Sequence, residues 1–364
     1  MFGLLALALA QAPEAPLAPA ASAGLDAAAR EVAEPSAAEA EEGAGGDLVA
    51  GPDPALPADP AVSAVPLGPE RWTPPDAVIA AVRGARDLSI GARVEAASRA
   101  FLGLPYLNEA AGEGEGVDPD PPSRYEAFDC LTFVEEVLGL AMAGDPLYAP
   151  TIRDAFRYRG PPSYENRRHF MEASWIPDAI HNGLLEDITP RVGHARVLTK
   201  DVTADTWRHW RHRWVFHLPD ALLPVGSWSL NYLDLAEAAA AVPLIPPGAI
   251  VVTLRQDRSY VPIVVTHIGM VVPPAEGSTE VRMRHATRMG RRTVRDDRLS
   301  WYVTHLRDYT RWPSLGVTIL MPREQGPRRS ALQPEALSEP LPFADGPLPT
   351  FEPQPIAPFP APSP

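Results

Sequence analysis

The sequence predicts an α+β fold in which a helical half precedes an antiparallel sheet. Three observations carry that expectation. From about residue 71 onward, apolar residues recur at helical spacing in several segments. Pro246-Pro247-Gly248 then breaks the pattern. Beyond it the chain turns to short runs rich in β-branched residues. In order, residues 89–102 read as an amphipathic helix, followed by Gly103-Leu104-Pro105-Tyr106 and a Gly/Glu/Asp/Pro loop over 108–123. A helix then starts at Cys130: Asp129 can cap it, and Phe133, Val137, Leu140 and Ala141 share one face. Further helices are expected near 151–158 and 170–182. Trp207, Trp210 and Trp214 mark another, with tryptophans at that spacing read as core. Strands are expected at 249–254, 267–272, 280–285 and 315–321, with a helix at 299–309 between the last two. No internal repeat is evident.

The two ends differ in kind from this middle. Residues 1–70 carry acids such as Glu31, Glu34, Glu39, Glu41, Glu42 and Asp47 against the single base Arg30, and so hold most of the net charge of −14. Residues 1–24 open with a short apolar run ending in small residues. That run resembles a signal peptide without a basic start, so a periplasmic or secreted protein is expected. It is too short to span a bilayer, and no cysteine follows it, so no stable membrane anchor is expected. Residues 25–70 are low-complexity Ala/Pro/Glu sequence, which buries too little apolar surface to fold and reads as disordered. Residues 323–364 read as a disordered, extended Pro-rich tail. A folded domain is therefore expected over 71–322. The basic clusters at 208–213 and 282–295 are local solvated faces, and no nucleic-acid surface is expected.

Cys130 is the only cysteine, which excludes an intramolecular disulfide and a cysteine-rich metal site. An arbitrary free cysteine is usually a small buried apolar residue. Here, however, the thiol falls in the first turn of a helix, where unpaired amides and the helix dipole favour thiolate. A thiolate nucleophile needs an imidazole to exchange its proton and a polar group to orient that imidazole. His267 opens one expected strand and His285 closes the next. The 273–279 turn between them would bring the two rings side by side across an antiparallel pair.

These segments resemble a known family. A cysteine helix, then a histidine strand, then a polar residue on the following strand is the order of the NlpC-type, papain-like cell-wall cysteine peptidases. Local segments are more similar to one branch, the N-acetylmuramoyl-L-alanine amidase-like family. They are Phe101-Leu102-Gly103-Leu104-Pro105-Tyr106, the stretch 124–135 around Phe128-Asp129-Cys130, Arg157-Tyr158-Arg159, Arg167-Arg168-His169-Phe170 with Trp175-Ile176 and Asp187-Ile188-Thr189, Pro247-Gly248-Ala249-Ile250, Thr266-His267-Ile268-Gly269 and Arg284-His285-Ala286. Two departures stand out: the acidic, Pro-rich loop 108–123 and the unmatched segment 195–240.

The resemblance implies a papain-like fold with the nucleophile at a helix start packed on a C-terminal antiparallel sheet. It also implies a thiol-dependent amidase cleaving the N-acetylmuramoyl–L-alanine bond of peptidoglycan fragments, with no metal or cofactor; a monomeric chain is expected. Cys130 would be the nucleophile, His267 the base and then acid, and His285 the orienting group. The Cys130 N–H could donate to the oxyanion. Tyr106 and Asp129 would lie beside the thiol among the substrate-binding residues. Arg167 and His169 are candidates to bind an acidic or sugar part of the substrate, or else to anchor a loop. The alternatives are a γ-D-glutamyl–diamino acid endopeptidase using the same machinery, an acyl transferase, and a non-catalytic cell-wall-binding module.

Overall fold

The computed structural model describes residues 73–323. The expectations for 1–70 and for the tail beyond Arg323 lie outside the described residues. The helices are α1 (Asp76–Ala85), α2 (Ile90–Ser98), α3 (Cys130–Ala143), α4 (Ala149–Arg157), α5 (Ile176–His181), α6 (Thr189–Val192), α7 (Ala204–His209), α8 (Leu235–Ala241) and α9 (Leu299–His305). The strands are β1 (Leu185–Asp187), β2 (Arg196–Val202), β3 (Gly226–Asp234), β4 (Ile250–Arg255), β5 (Val265–Val272), β6 (Arg282–Thr287), β7 (Thr293–Arg298) and β8 (Ser314–Pro322). All pair antiparallel in the order β2-β3-β8-β4-β5-β6-β7, with β1 added on β8.

Strands β4 and β5 are buried on both faces, which explains why they read as continuous apolar runs rather than alternating ones. One face carries Val252, Ile268 and Met270 against Val94, Phe133 and Val137 of α2 and α3. The other carries Val251, Val271 and Val317 against Ala238 of α8 and Leu299, Tyr302 and Val303 of α9. A third, aromatic cluster joins Phe170, Trp207, Trp210, Phe216 and Trp312.

Helix α3 is the central helix: every residue except Leu131 is buried. Asp129 and Thr132 form a reciprocal capping box at its start, and Gly144, in the left-handed region at φ 69°, ends it. Its Glu135 and Glu136 are buried because each is matched. Arg157 donates to Glu135 at 2.7 Å and Trp175 Nε1 donates at 3.0 Å. Arg153 pairs with Glu136 at 3.2 Å, and the Ser123 and Tyr125 hydroxyls donate to the same carboxylate.

The helices-then-strands order needs correction. Strands β1, β2 and β3 interrupt the helical half, and the unmatched stretch 195–240 contains the β2–β3 pair. Strand β2 escaped notice because its apolar and buried positions do not coincide: Val197 is exposed while Lys200 is buried. Of the three tryptophans only Trp207 lies within an α-helix, α7. Trp210 is the C-cap residue of α7, and Trp214 sits in a short 3₁₀ turn with 58% of its surface exposed, outside the core. The expected helix over 170–182 begins as a π-helical turn, Met171–Trp175, before α5. Strand β7 was not anticipated at all.

Candidate active site

The approach to Cys130 is stitched to the sheet edge through backbone bonds. Gly103 N donates to Val294 O and Val294 N to Leu104 O, each at 2.8 Å, and Tyr106 N donates to Arg292 O at 2.8 Å. On the other side of this segment, Phe128 N donates to Pro105 O at 3.1 Å and Leu107 N to Phe128 O at 3.0 Å. The stretch 103–107 thus lies between β7 and the residues leading into α3, and it fixes where the helix begins.

Cys130 is the first residue of α3 and is fully buried. Its helix packs across β5 and β6, on the face bearing Ile268, Met270 and Ala286. Asp129 is the N-cap. One carboxylate oxygen accepts from Thr132 N at 2.7 Å and the other from Ala110 N at 3.3 Å. Burial is the main influence on this carboxyl and pushes it above the usual range against those amides. Asp129 therefore shapes the site by capping the helix and tying down the loop.

The two histidines come together as expected. His267 Nε2 and His285 Nδ1 are 2.6 Å apart, with ring centroids 4.9 Å apart and nearly perpendicular. The row continues onto β7, where Asp297 Oδ2 lies 3.0 Å from His285 Nε2. Asp297 pairs with Met283, two residues before His285 on β6, so the contact is a cross-strand diagonal. Arg295 donates to the same carboxylate oxygen at 2.8 and 3.1 Å. Tyr302 of α9 closes the row, its ring 5.5 Å from His285 and 6.1 Å from His267. Its hydroxyl lies 2.6 Å from Thr253 Oγ1. Gly269 is required here: an added Cβ would lie 2.8 Å from the His285 Cβ and 2.5 Å from Met283 Cε.

Protonation follows from this geometry. Burial pushes His285 down to about 4, more strongly than the Asp297 hydrogen bond raises it, so the ring is neutral near pH 7. Burial would raise Asp297, but the His285 hydrogen bond and Arg295 outweigh it and hold the carboxyl below its usual range. A carboxylate only accepts, so His285 carries its proton on Nε2 and offers Nδ1 as acceptor. His267 then donates from Nε2 into the 2.6 Å contact, so Nδ1 is the nitrogen that remains for proton exchange.

A cavity of about 260 Å³ opens beside the start of α3, and neither Cys130 nor the histidine row is among its lining residues. Both chain neighbours of Cys130, Asp129 and Leu131, line it, as do Tyr106, Glu109, Arg167 and His169. Arg167 is held as a loop anchor. It donates to both oxygens of Glu113 at 2.9 and 2.7 Å and to Asp118 at 2.8 Å, so its charge is matched from within the acidic loop. His169 Nε2 lies 2.7 Å from Tyr164 O, and burial pushes the ring down to about 4. It is neutral and offers an anionic substrate group no positive charge.

Two residues escaped the sequence reading. Asp297 lies in a strand whose polar alternation imitates a charged loop. Glu109 lines the cavity with a left-handed backbone (φ 51°), and burial, followed by Asp118 and Asp129, raises its carboxyl to about 7. The acidic composition of 108–123 was the only sequence signal for it. Among the described residues, no group of three or more His, Cys, Asp or Glu is placed to hold a metal ion.

The comparisons with known proteins agree with this picture at the family level. Residues 96–308 match the model of the AmiA-like, N-acetylmuramoyl-L-alanine amidase-like family. Among solved structures, a Legionella pneumophila protein of the DUF1460 family is similar at a TM-score of 0.58 and 21% identity, covering 67% of this chain and 93% of that one. An N-acetylmuramoyl-L-alanine amidase from Bacteroides uniformis is similar at a TM-score of 0.53 and 20% identity, covering 64% of this chain and 99% of that one. At these identities the likeness is one of fold. No curated protein sequence matches.

Proposed function

The chain belongs to the N-acetylmuramoyl-L-alanine amidase-like family, and from that premise we propose that it is a cysteine amidase cleaving the N-acetylmuramoyl–L-alanine bond of peptidoglycan fragments. In this reading the architecture is papain-like, of the NlpC type, and the reaction takes place outside the cytoplasm. The observation that carries it is the His267–His285–Asp297 row, whose histidines lie in a strand pair across which the Cys130 helix packs on the face of Ile268 and Ala286, the residues next to the two histidines.

The chemistry runs in two halves. His267 Nδ1 takes the Cys130 proton, and the thiolate attacks the lactyl carbonyl carbon, forming a C–S bond. The oxyanion is met by the Cys130 N–H at the helix start. Collapse breaks the C–N bond as His267 returns the proton to the departing L-alanine amine. Water, deprotonated by His267, then attacks the thioester and releases the muramoyl carboxylic acid and the thiol. The row through His285 to Asp297 holds the His267 ring in the required tautomer throughout. The cavity flanked by Tyr106, Asp129 and Leu131 is the place for the substrate.

The test is digestion of a defined muropeptide by wild type and Cys130→Ala, with products read by mass spectrometry. Released stem peptide and free sugar acid from wild type alone support the amidase. Split stem peptide would assign the endopeptidase register instead. Equal cleavage by both proteins would remove the thiol mechanism, and no cleavage by either would leave the wall-binding reading.

A further inference from the structure

The strand that carries His267 begins with a bulge. Leu254 pairs with Val265 and Thr253 with His267, so Thr266 is the extra residue. Bulges bend a strand and re-aim the side chains beside them. Three contacts hold this one. Arg255 Nε donates to Thr266 Oγ1 at 3.1 Å, Arg255 N donates to Val264 O at 2.9 Å, and Val264 N donates to Glu172 Oε1 at 3.2 Å.

Glu172 is an unexpected residue at that point. It is 2% exposed and sits in the π-helical turn Met171–Trp175, a local geometry often found at functional sites. That turn begins two residues after His169, which lines the cavity. The carboxyl therefore joins the cavity wall to the strand start, three residues from His267. Burial raises it to about 7, against the amides of Glu172, Val264 and Val265 and the charge of Lys200. The Lys200 ammonium is itself held by Asp257 at 2.6 Å and Arg258 O at 3.0 Å. An apolar side chain would fill this space without a desolvation penalty but would leave the Val264 amide without this acceptor.

We propose that Glu172 is a positioning residue for His267: by accepting the Val264 amide it fixes the Thr266 bulge and couples the cavity wall to the strand that presents the imidazole. The proposal rests on the hydrolase reading above. Its test is steady-state kinetics on a defined muropeptide for Glu172→Leu, Glu172→Gln, His267→Ala and the Glu172→Leu/His267→Ala double variant.

Glu172→Leu is expected to lower kcat on the order of 10²-fold, the cost of a ring displaced by about 1 Å, with KM changed less than about 3-fold. Glu172→Gln keeps a carbonyl acceptor at the same place and recovers most of that rate. The double variant is no slower than His267→Ala, because a residue acting through His267 has nothing left to position. Should Glu172→Leu fail to fold, Glu172→Asp, which retracts the acceptor by one methylene, carries the same expectation. Wild-type kcat in Glu172→Leu, equal impairment in Glu172→Gln, or losses that multiply in the double variant would each overturn the proposal while a strongly impaired but measurable His267→Ala leaves the hydrolase reading standing. Full activity in His267→Ala would overturn both.

Discussion

Asp297 Oδ2 lies 3.0 Å from His285 Nε2, and this one contact decides which nitrogen of His267, a strand further away, remains for proton exchange. A carboxylate can only accept, so the proton order along the row is fixed from the Asp297 end. Asp297→Asn replaces that acceptor with an amide that can donate to Nε2 and reverse both tautomers. The expected loss in kcat is on the order of 10³–10⁴-fold, with the fold intact by circular dichroism. Asp297→Ala, which removes the acceptor without imposing a donor, should lose less. Equal losses in the two variants would count against tautomer control.

Gly269 predicts a second separation of activity from stability. The Cβ of Gly269→Ala would press on the His285 Cβ and Met283 Cε. The flexible Met283 can move, but the His285 backbone is pinned between β5 and β7. We expect kcat to fall on the order of 10–10²-fold while the substrate KM stays within about 3-fold. An unchanged kcat would show that the row tolerates displacement.

Acid sensitivity follows from His285. Its folded pKa is depressed to about 4, below the value of about 6.5 for an unfolded chain. The native state therefore binds fewer protons across that window, and the contribution is present above pH 6.5 and lost as pH falls toward 4. His169 adds the same slope, whereas Glu172, raised to about 7, adds the opposite one. The clean measurement is the difference in unfolding free energy between wild type and His285→Asn at pH 7 and pH 4.5. The wild type should lose up to about 3 kcal/mol more than the variant. A difference that does not change with pH would contradict the assignment of a neutral, buried His285.

Behind α3, Arg157→Leu should be strongly destabilising. It strips Glu135 of its 2.7 Å partner, with both side chains only 3% exposed. An uncompensated buried carboxylate costs about 3–5 kcal/mol, readable as a lower denaturation midpoint at unchanged slope. A cost under about 1 kcal/mol would mean that water reaches Glu135.

The site was legible wherever local chemistry is self-sufficient. Asp129 before Cys130 announced the helix start, and two histidines on strands joined by a short turn had to be neighbours. Asp297 was hidden because β7 carries a single apolar residue, Val294, among charges held in ion pairs: Asp297 serves His285, while Asp296 serves Arg284 at 2.7 Å and Arg282. A strand with one apolar residue among paired charges has no apolar period to read. Arg167 stayed ambiguous for a related reason, since its partner Glu113 lies 54 residues earlier in the chain. Strand β2 buries Lys200 only by pairing it with Asp257, again a contact that local sequence does not reveal.

The central claim is that Cys130 attacks the carbonyl of the N-acetylmuramoyl–L-alanine bond. Rapid-quench peptide mapping during turnover of a defined muropeptide tests it most directly. The expected result is a muramoyl thioester on the peptide containing Cys130 in wild type, with neither adduct nor product in Cys130→Ala. Full product formation by Cys130→Ala, or an acyl group on Cys130 derived from the stem peptide instead of the sugar acid, would contradict it.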